Sequence, residues 1–362
     1  MIRKVVLTGG PGSGKTTVIE SIKKNYGGKY KVIIVDETAS YLINMGIRPF
    51  GENSIPLIDF QELVLKTQLS KEEVIDKSLE FLPDEDVLII YDRGIMDNAA
   101  YISEEEFKEV IERVKTKETI QDFFDRYDLV LNLVSRKDFY TTDNNPARSE
   151  TVDDALSLGE KTLKVWTGHK NLKIVSPKDD INDKIKDVLN YINDVLQEEQ
   201  VKRQAKYYVD LNLTDMDYVK KISRVANIEQ TYLESEDNVE KRLRKITMCG
   251  ATTYSYTIHK IVNDKRIKIS DNSISERTFN ELFEFRDQKK NTINKDRYYF
   301  PYKDKYYTLD IIDDYGLLEI NISEDEQVII PPFIGVIEDV SKNEDFLNVN
   351  LSNADIKNFT KH

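Results

Sequence analysis

Hydrophobic and polar positions change their rhythm once along the chain, near residue 200. In the first part, short apolar runs of β character alternate with helical patterns. Strands and helices that take turns predict a parallel sheet with helices on both faces. The sequence therefore predicts an α/β first domain, built as a three-layer α/β/α sandwich. The predicted strands are residues 4–9, 31–36, 86–92, 128–134 and 171–175, and the predicted helices start at Lys15 or span 57–80, 104–116 and 181–199.

Beyond residue 200 the pattern becomes an alternation with a period of two, which is typical of strands with two different faces. Several short strands separated by Asn, Asp and Gly predict an antiparallel sheet or barrel. We place the domain boundary at this change, which gives an α/β domain of residues 1–200 and a β-rich domain of residues 201–362. The predicted strands of the second domain are residues 240–246, 253–261, 295–302, 306–313 and 317–323.

Composition narrows the classes of function. The net charge of −13 argues against a nucleic-acid partner, because such proteins need a surplus of Lys and Arg. One cysteine and three histidines argue against a disulfide framework and a Cys- or His-rich metal site. No apolar stretch approaches the roughly 18 residues of a membrane span, and the first residues lack a secretory signal. We therefore expect a cytoplasmic protein with no membrane span.

The strongest chemical signal is the glycine-rich run GGPGSGKT at residues 9–16, which fits the pattern G-x-x-x-x-G-K-[ST]. The run lies between a predicted strand and a predicted helix. Glycines leave backbone N–H groups bare to surround a phosphate, and the helix N-terminus adds a partial positive charge. The sequence therefore predicts an ATP or GTP site in which Lys15 contacts the β- and γ-phosphates. The predicted nucleotide-binding residues are Gly9, Gly10, Pro11, Gly12, Ser13, Gly14, Lys15, Thr16 and Thr17.

Two more strand ends carry carboxylates, and the carboxyl ends of parallel strands share one crevice. Asp92 follows the apolar run VLIIY, so we expect Asp92 and the Thr16 hydroxyl to hold Mg²⁺ as the cofactor. Glu37 follows the second strand. It acts as a base toward the attacking group, binds the acceptor, or only caps the next helix.

A further candidate group lies in the Asn- and Pro-rich stretch NNPARSE at residues 144–150. Arg148 is the predicted catalytic charge clamp over the phosphates, and Arg136 is a second candidate. A solvated surface arginine is the other interpretation of Arg148.

At these residues the chain resembles the small-nucleotide-kinase-like P-loop family of AAA_28 ATPase domains, which is related to deoxynucleoside and nicotinamide-riboside kinases. The resemblance covers nearly all of the first 180 residues and implies a nucleotide-binding, kinase-like domain. It is most specific at the phosphate loop and at DRG. The matching segments are TGGPGSGKTT, VDETA, FQELVLKTQ, YDRGIMDNAAY, NPARSE and VWTGHKNLKIV.

The second part resembles the CYTH family of triphosphate-tunnel barrels. Its matching segments include EKRLRKI, YTIHK, KDRYYF and LEIN. Arg242 and Arg244 are two apart on one predicted strand, so both point to the same side, where arginine forks suit phosphate oxygens. A solvent-facing charged strand is the plainer interpretation. The resemblance implies a tunnel that binds phosphate through Lys206, Arg242, Arg244, Lys260, Arg297 and Glu319.

The second part also departs from that family, which holds its metal with an E-x-E-x-K motif. Aligning Lys206 with the motif lysine puts Lys202 and Gln204 at the two glutamate positions, so both metal carboxylates are absent. Asn321 replaces another expected acid, and His259 stands at a position usually held by Lys. We therefore expect this domain to bind a phosphoinositide, polyphosphate or triphosphate and not to hydrolyse it. The order of the two domains resembles the family of the TRPL translocation defect protein and its bacterial relatives.

Three functions stay open at this point, beside a disfavoured fourth, triphosphate hydrolysis in the second domain, for which Lys202 and Gln204 provide no carboxylate to Mg²⁺. The first is an Mg²⁺-dependent NTPase or phosphotransferase coupled to a phosphate-sensing domain. The second is a small-molecule kinase with a nucleoside-like acceptor, because FQELVLKTQ and DRG match the acceptor side of such kinases. The third is a binding module in which the nucleotide switches the affinity of the second domain. The first domain contains no N-K-x-D motif, so the sequence gives no support for guanine specificity.

Overall fold

The computed structural model describes residues 1–82, 85–135, 152–196, 203–262, 265–322 and 327–353. The chain divides into two compact units, Met1–Gln200 and Val201–His362. None of the helices within the described ranges combines the length and the apolar character that a bilayer crossing requires.

The first unit contains a five-stranded parallel sheet in the order β2-β3-β1-β4-β5. The predicted α/β class is confirmed, and each predicted strand has an observed counterpart. Strand β1 is central because its apolar residues bury both faces, and Val5, Val6 and Leu7 are fully buried. The strands are β1 Ile2–Thr8, β2 Lys31–Val35, β3 Val87–Asp92, β4 Leu129–Leu133 and β5 Leu172–Val175.

Helices connect these strands and cover the sheet. In the first helix, Val18, Ile19 and Ile22 recur at helical spacing, and they pack with Val188 and Ile192 of the last helix of this unit against β1. The helices are α1 Lys15–Tyr26, α2 Thr38–Asn44, α3 Leu57–Leu79, α4 Glu104–Val114, α5 Ile120–Asp125, α6 Val152–Trp166 and α7 Ile181–Leu196, with a 3₁₀ helix at Ile95–Ala100.

The strand order fixes where a ligand can lie. Strand β1 pairs with β3 on one side and with β4 on the other. The strands β2 and β3 therefore lie on one side of β1 and the later strands β4 and β5 on the other, so the strand order reverses at β1. In parallel sheets, such a reversal leaves a crevice beyond the carboxyl ends of the strands. The residues after β1 and β3 therefore meet at one edge.

The second unit contains a nine-stranded antiparallel sheet in the order β10-β9-β8-β7-β11-β12-β13-β6-β14, which confirms the predicted β-rich class. The strands are β6 Arg203–Val209, β7 Arg224–Leu233, β8 Val239–Met248, β9 Ala251–Val262, β10 Lys265–Ile274, β11 Ile293–Tyr302, β12 Lys305–Ile312, β13 Tyr315–Ile322 and β14 Val336–Asp339. The helices are α8 Met216–Ile222, α9 Glu276–Phe283 and α10 Asn348–Leu351, with 3₁₀ helices at Leu211–Leu213 and Glu344–Phe346.

The two faces of this sheet differ in chemistry. On one face, Phe300, Leu309 and Leu318 pack into an apolar core together with Val219 of α8. The neighbouring residues of the same strands point to the opposite face, because side chains alternate along a strand. That opposite face is charged, and we call it the polar face. The register assigns to it Lys206, Arg242, Arg244, Lys295, Arg297, Asp310 and Glu319.

The sequence prediction lacks strands β6, β7, β10 and β14, and the reason is clearest for β10. Its residues are mostly charged or small, and its apolar members Ile267 and Ile269 are 48% and 59% exposed. A strand at the edge of a sheet needs no buried stripe, so the hydrophobic pattern gives no signal for it.

Candidate functional site

The glycine-rich loop connects β1 to α1, as its sequence predicts. Gly9 has a φ of 134°, and a Cβ there would lie 2.2 Å from the carbonyl oxygen of Leu133. Gly14 has a φ of 87° and forms the N-cap of α1. A side chain is strained or blocked at both positions, so glycine is required for this loop path.

The loop presents backbone donors. The N–H groups of residues 14–17 have no hydrogen-bond partner within the part of the chain that the structure describes, since the first bond of the helix runs from Val18 N to Gly14 O at 3.1 Å. The first N–H groups of any helix lack partners inside the helix, and they favour an anion. The predicted phosphate cradle is therefore open, and the hydroxyl-bearing residues Thr16 and Thr17 beside it are exposed.

Lys15 lies under this cradle without a carboxylate in direct contact. Its ammonium donates to the carbonyl oxygen of Gly9 at 3.3 Å. Burial lowers the pKa of Lys15 to about 8, Arg93 lowers it as well, and Asp92 and Glu37 partly offset this. A cation whose charged form is this disfavoured gains when an anion binds beside it.

Asp92 ends β3 opposite Leu7 of β1, at the same edge of the sheet. Its Oδ1 is buried and has no hydrogen-bond partner among the residues that the structure describes. Burial raises the pKa of Asp92, and Glu37 raises it further, while Lys15 lowers it. An unpaired carboxylate oxygen beside the phosphate loop fits a hard cation such as Mg²⁺, with the exposed Thr16 hydroxyl as a second oxygen.

Glu37 occupies the N-cap position of α2, yet its side chain makes no capping bond. It accepts instead from Arg93 Nε at 2.5 Å and from Ser40 Oγ at 2.6 Å. Burial by itself would raise the pKa of Glu37, but Arg93 and Lys15 outweigh it and hold the pKa below its usual value. The capping interpretation of Glu37 therefore fails, and its carboxylate is ionised at the site.

Arg93 and Asp97 hold this arrangement together, and the sequence gives no role to Asp97. Asp97 accepts from the N–H of Gly94 at 2.8 Å, from Trp166 Nε1 at 3.2 Å, and from the Thr8 hydroxyl. Arg93 contacts Asp97 at 3.3 Å and has a φ of 72°, which is unusual for a residue other than glycine. The spacing of Asp97 after DRG is the only signal that the sequence offers.

A pocket of about 540 Å³ adjoins the phosphate loop. Gly12, Ser13 and Thr17 line one wall, and residues 177–181 line another. Lys184 of α7 donates to the carbonyl oxygens of Ser13 and Val134, both at 2.8 Å, and ties the loop to β4. Sequence reasoning missed Lys184. A lysine among the apolar positions of α7 does indicate a side chain that binds a buried acceptor.

The buried face of α3 carries two glutamines toward this edge. Gln68 Nε2 donates to the carbonyl oxygen of Arg93 at 3.4 Å. Gln61 lies seven residues earlier on the same face, is 3% exposed, and its Oε1 has no partner. A buried amide oxygen without a donor is costly, so it indicates either a ligand or a water.

Most predicted phosphate-binding residues of the second unit lie on the polar face. Lys206 contacts Glu319 at 2.8 Å. Arg297 contacts Asp310 at 2.5 Å and Glu319 at 3.5 Å. Lys295, which the sequence analysis did not select, contacts Asp310 at 2.6 Å and is fully buried.

Arg242 and Arg244 differ from these paired cations. Arg242 donates to Thr257 Oγ1 and Arg244 to Gln230 Oε1, both at 3.2 Å, and neither contacts a carboxylate within the described ranges. The Nε atoms of both arginines are buried without a partner. Burial, together with the neighbouring Arg242 and Arg297, lowers the pKa of Arg244 to about 10.

One predicted residue, Lys260, does not join these groups. Lys260 points away from the polar face, because Arg242 pairs with Thr257 and residues alternate along β9 from there. His259 takes its place on the polar face and is 8% exposed. Arg148, like Arg136, lies outside the described residues. Nowhere in the described ranges do three or more His, Cys, Asp or Glu side chains cluster as a metal site.

Comparisons with known proteins give one family. Residues 4–184 match the family model AAA_28, described as an AAA domain. A search of the curated proteins found no match. Solved structures similar to this chain include the PH1819 protein of Pyrococcus horikoshii OT3, at 15% identity and a TM-score of 0.27, and a conserved hypothetical protein of Pyrococcus furiosus, at 17% and 0.26. Each match covers 34% of this chain and 80% of the other. TM-scores this low support no conclusion about fold or function. The family match spans residues 4–184 of 362, half of the chain, and this protein therefore belongs to the AAA_28 family of AAA domains.

Proposed function

We propose that the first unit binds the Mg²⁺ complex of ATP or GTP and transfers its terminal phosphoryl group to an acceptor or to water. One observation carries this proposal. The unpaired N–H groups of residues 14–17, the poorly compensated Lys15 and the unpaired Oδ1 of Asp92 all lie at one edge of the sheet. Donors for phosphate and an acceptor for a metal thus stand together.

The residues divide the work by charge. The N–H groups of the loop and Lys15 bind the β- and γ-phosphates and stabilise charge that develops during transfer. Asp92 and Thr16 hold Mg²⁺, which when bound neutralises the phosphate oxygens. The pocket beside Gly12 and Lys184 has room for the nucleoside part.

Glu37 then positions the attacking hydroxyl or water. Arg93 keeps the pKa of Glu37 low, so this carboxylate is a weak base, but it is a good hydrogen-bond acceptor. Phosphoryl transfer passes through a loose transition state that needs orientation more than proton removal. Positioning is therefore the role that its environment favours.

A small-molecule acceptor is the more specific form of this function. Oε1 of Gln61, which has no partner among the described residues, and Gln68 two turns later on the same face of α3 supply buried amides of the kind that read the hydrogen-bonding edge of a nucleoside-like compound. Screening nucleosides for phosphate transfer from ATP tests this form. Transfer no faster than hydrolysis for every acceptor would leave only an NTPase.

Comparing the wild type with Lys15→Ala tests the main proposal. The wild type binds ATP or GTP with Mg²⁺ and turns it over, and the variant loses both. Equal binding by the two proteins would refute the proposal. Binding without any turnover in the wild type would favour the non-catalytic switch.

For the second unit, we propose binding of a phosphorylated ligand, such as a phosphoinositide, a polyphosphate or a triphosphate. The guanidinium groups of Arg242 and Arg244 favour this function, since within the described residues they contact no carboxylate and their Nε atoms have no partner, and buried arginines of this kind match phosphate oxygens. Arg242→Ala and Arg244→Ala in the full chain test it. Unchanged affinity for every such ligand would count against it.

A further inference from the structure

The carboxylates of the polar face decide whether it can hold a metal. Metal-dependent phosphate sites need carboxylate oxygens that are free to bind the ion. Gln204 donates its amide to Glu319 at 3.2 Å, and Lys206 contacts the other oxygen of Glu319 at 2.8 Å. Arg297 adds a contact at 3.5 Å. Both oxygens of Glu319 are therefore engaged by the chain itself.

Asp310 is engaged even more completely. Arg297 contacts it with two nitrogens, at 2.5 and 2.7 Å, and Lys295 contacts it at 2.6 Å. Burial by itself would raise the pKa of Asp310, yet these two cations hold it far below its usual range. A divalent ion would have to displace a buried arginine and a buried lysine to reach this carboxylate.

The remaining carboxylates near Arg242 are also paired. Arg266 contacts Glu240, and Lys268 contacts Asp271 at 3.0 Å. Glu240 lies two residues before Arg242 on β8, and Asp271 pairs with Thr257, which is also the β9 partner of Arg242. Each of these four acids already has a cation from its own chain.

The unsatisfied guanidinium atoms of the polar face are donors, and Nδ1 of His259 is also buried there without a partner among the described residues. The Nε groups of Arg242 and Arg244 have no partner, and the two residues lie two apart on β8. His259 contributes no compensating charge. Burial, Arg266 and Arg242 lower its pKa to about 4, so it is neutral at pH 7. Among the described residues of this face the surplus charge is positive, because each of the four acids named above already has a cation.

We infer that the polar face takes a multiply charged phosphoryl anion without a divalent metal, at Arg242 and Arg244, and that Mg²⁺ weakens this binding. The inference rests on the phosphorylated-ligand function proposed above for the second unit. Mg²⁺ neutralises the phosphate oxygens and keeps its own ordered waters, and this face offers it no replacement ligands. The Mg²⁺ complex of the anion therefore has a smaller net negative charge than the free anion, and its metal ion is repelled by the two arginines.

Tripolyphosphate titrated into the full chain by calorimetry tests the inference, once in EDTA and once in excess Mg²⁺. A parent chain carrying Lys15→Ala removes the contribution of the phosphate loop. Arg242→Ala and Arg244→Ala are added to this parent, with Arg277→Ala as control, because the Arg277 side chain is 89% exposed on α9. We expect binding in EDTA, a loss of about tenfold or more in both test variants, no change in the control, and weaker binding in Mg²⁺.

A second measurement needs no variant. Nuclear magnetic resonance of the His259 ring in EDTA should show its pKa rising when tripolyphosphate binds, because an added anion offsets Arg266 and Arg242. The ring of His169 in the first unit, whose pKa burial lowers to about 4, should not move. A merely structural role for Arg242 and Arg244 leaves both rings unchanged and contradicts the inference.

The outcomes separate the two proposals. Binding that needs Mg²⁺ overturns the metal-free inference and leaves the phosphorylated-ligand function standing. No anion binding in either buffer, or binding that ignores both arginines, overturns both. Vesicles containing a phosphoinositide, tested beside soluble tripolyphosphate and inorganic phosphate, show whether the anion is a lipid headgroup or a free phosphate.

Discussion

The two units carry opposite kinds of unsatisfied atom at their charged sites. In the first unit, a carboxylate oxygen of Asp92 lacks a partner beside a partly uncompensated Lys15. In the second, four carboxylates have cations, and the Nε groups of Arg242 and Arg244 lack partners. A free acid together with a free cation suits a metal–phosphate complex, whereas free cations alone suit the bare anion. The kind of polar atom that lacks a partner, more than the total charge of the site, indicates which ligand each site accepts.

Removing the loop lysine should break the first half of this comparison with the largest effect. We expect Lys15→Ala to lower turnover of ATP or GTP by about 10³-fold, because a preorganised cation is lost where charge develops. A steady-state phosphate-release assay measures it. Lys24→Ala is the matched control, since this lysine is exposed in the last turn of the same helix α1. Similar turnover for Lys15→Ala and the control would contradict the account.

Paired and unpaired arginines of the polar face should differ in stability. Arg297→Met leaves the buried Asp310 with Lys295 alone, so we expect the free energy of unfolding of the second unit to fall by roughly 3 kcal/mol. Arg244→Met removes a buried cation without a carboxylate, and stability without ligand should rise by roughly 1 kcal/mol. Urea unfolding of the full chain, followed by probes in each unit, measures both.

The signs of these two changes carry the test. A loss of stability in Arg244→Met comparable to that of Arg297→Met would mean that Arg244 is structural, with a compensating contact of its own. The first unit should unfold at an unchanged urea concentration in both variants.

Replacing the carboxylate of Asp92 sharpens the comparison in the first unit. We expect Asp92→Asn to lower the apparent affinity for Mg²⁺ in turnover by about 10–100-fold, since a metal contact is lost. Turnover then needs a higher Mg²⁺ concentration. Stability without ligand should not fall, because burial already disfavours the charged form of Asp92. A magnesium titration of turnover gives the first number and thermal unfolding the second. Unchanged magnesium dependence would remove Asp92 from the metal site.

The smallest expected effect is a pH dependence of stability from His259. Its pKa of about 4 in the folded protein lies below its ordinary value of 6.5, so the unfolded chain takes up the proton first. Its contribution to stability is therefore fully present above pH 6.5 and is lost as the pH falls toward 4. His259→Gln should flatten this part of the acid unfolding curve, and saturating tripolyphosphate should flatten it in the wild type. An identical curve for His259→Gln would contradict the assignment.

The sequence predicts the fold class and the phosphate loop well, because both depend on local patterns. The run at residues 9–16 imposes its own backbone path, and strand alternation imposes the two sheets. The parts that it misses depend on contacts between distant segments. Asp97 gains its role from Thr8 and Trp166, and Lys184 gains its role from Ser13. Lys260 shows a related limit, since only the register of β9 decides which face it occupies.

The second unit also shows what composition hides. Residues 201–362 hold 25 basic and 28 acidic residues, which suggests a nearly neutral domain. Ion pairs within and between the strands engage the acids near Arg242, and they leave Arg242 and Arg244 without a carboxylate. That surplus depends on which strands are neighbours, and the sequence pattern does not reveal it. The likeness to triphosphate-tunnel barrels stays a prediction that these arginines motivate.

One magnesium titration tests the central claim most directly. Phosphorus NMR follows ATP and tripolyphosphate binding to the wild type, Lys15→Ala and Arg244→Ala while Mg²⁺ rises from zero. The account predicts that Mg²⁺ strengthens the binding that Lys15→Ala removes and weakens the binding that Arg244→Ala removes. If Mg²⁺ moves both affinities in the same direction, the unsatisfied atoms of the two sites do not determine their ligands, and the account is wrong.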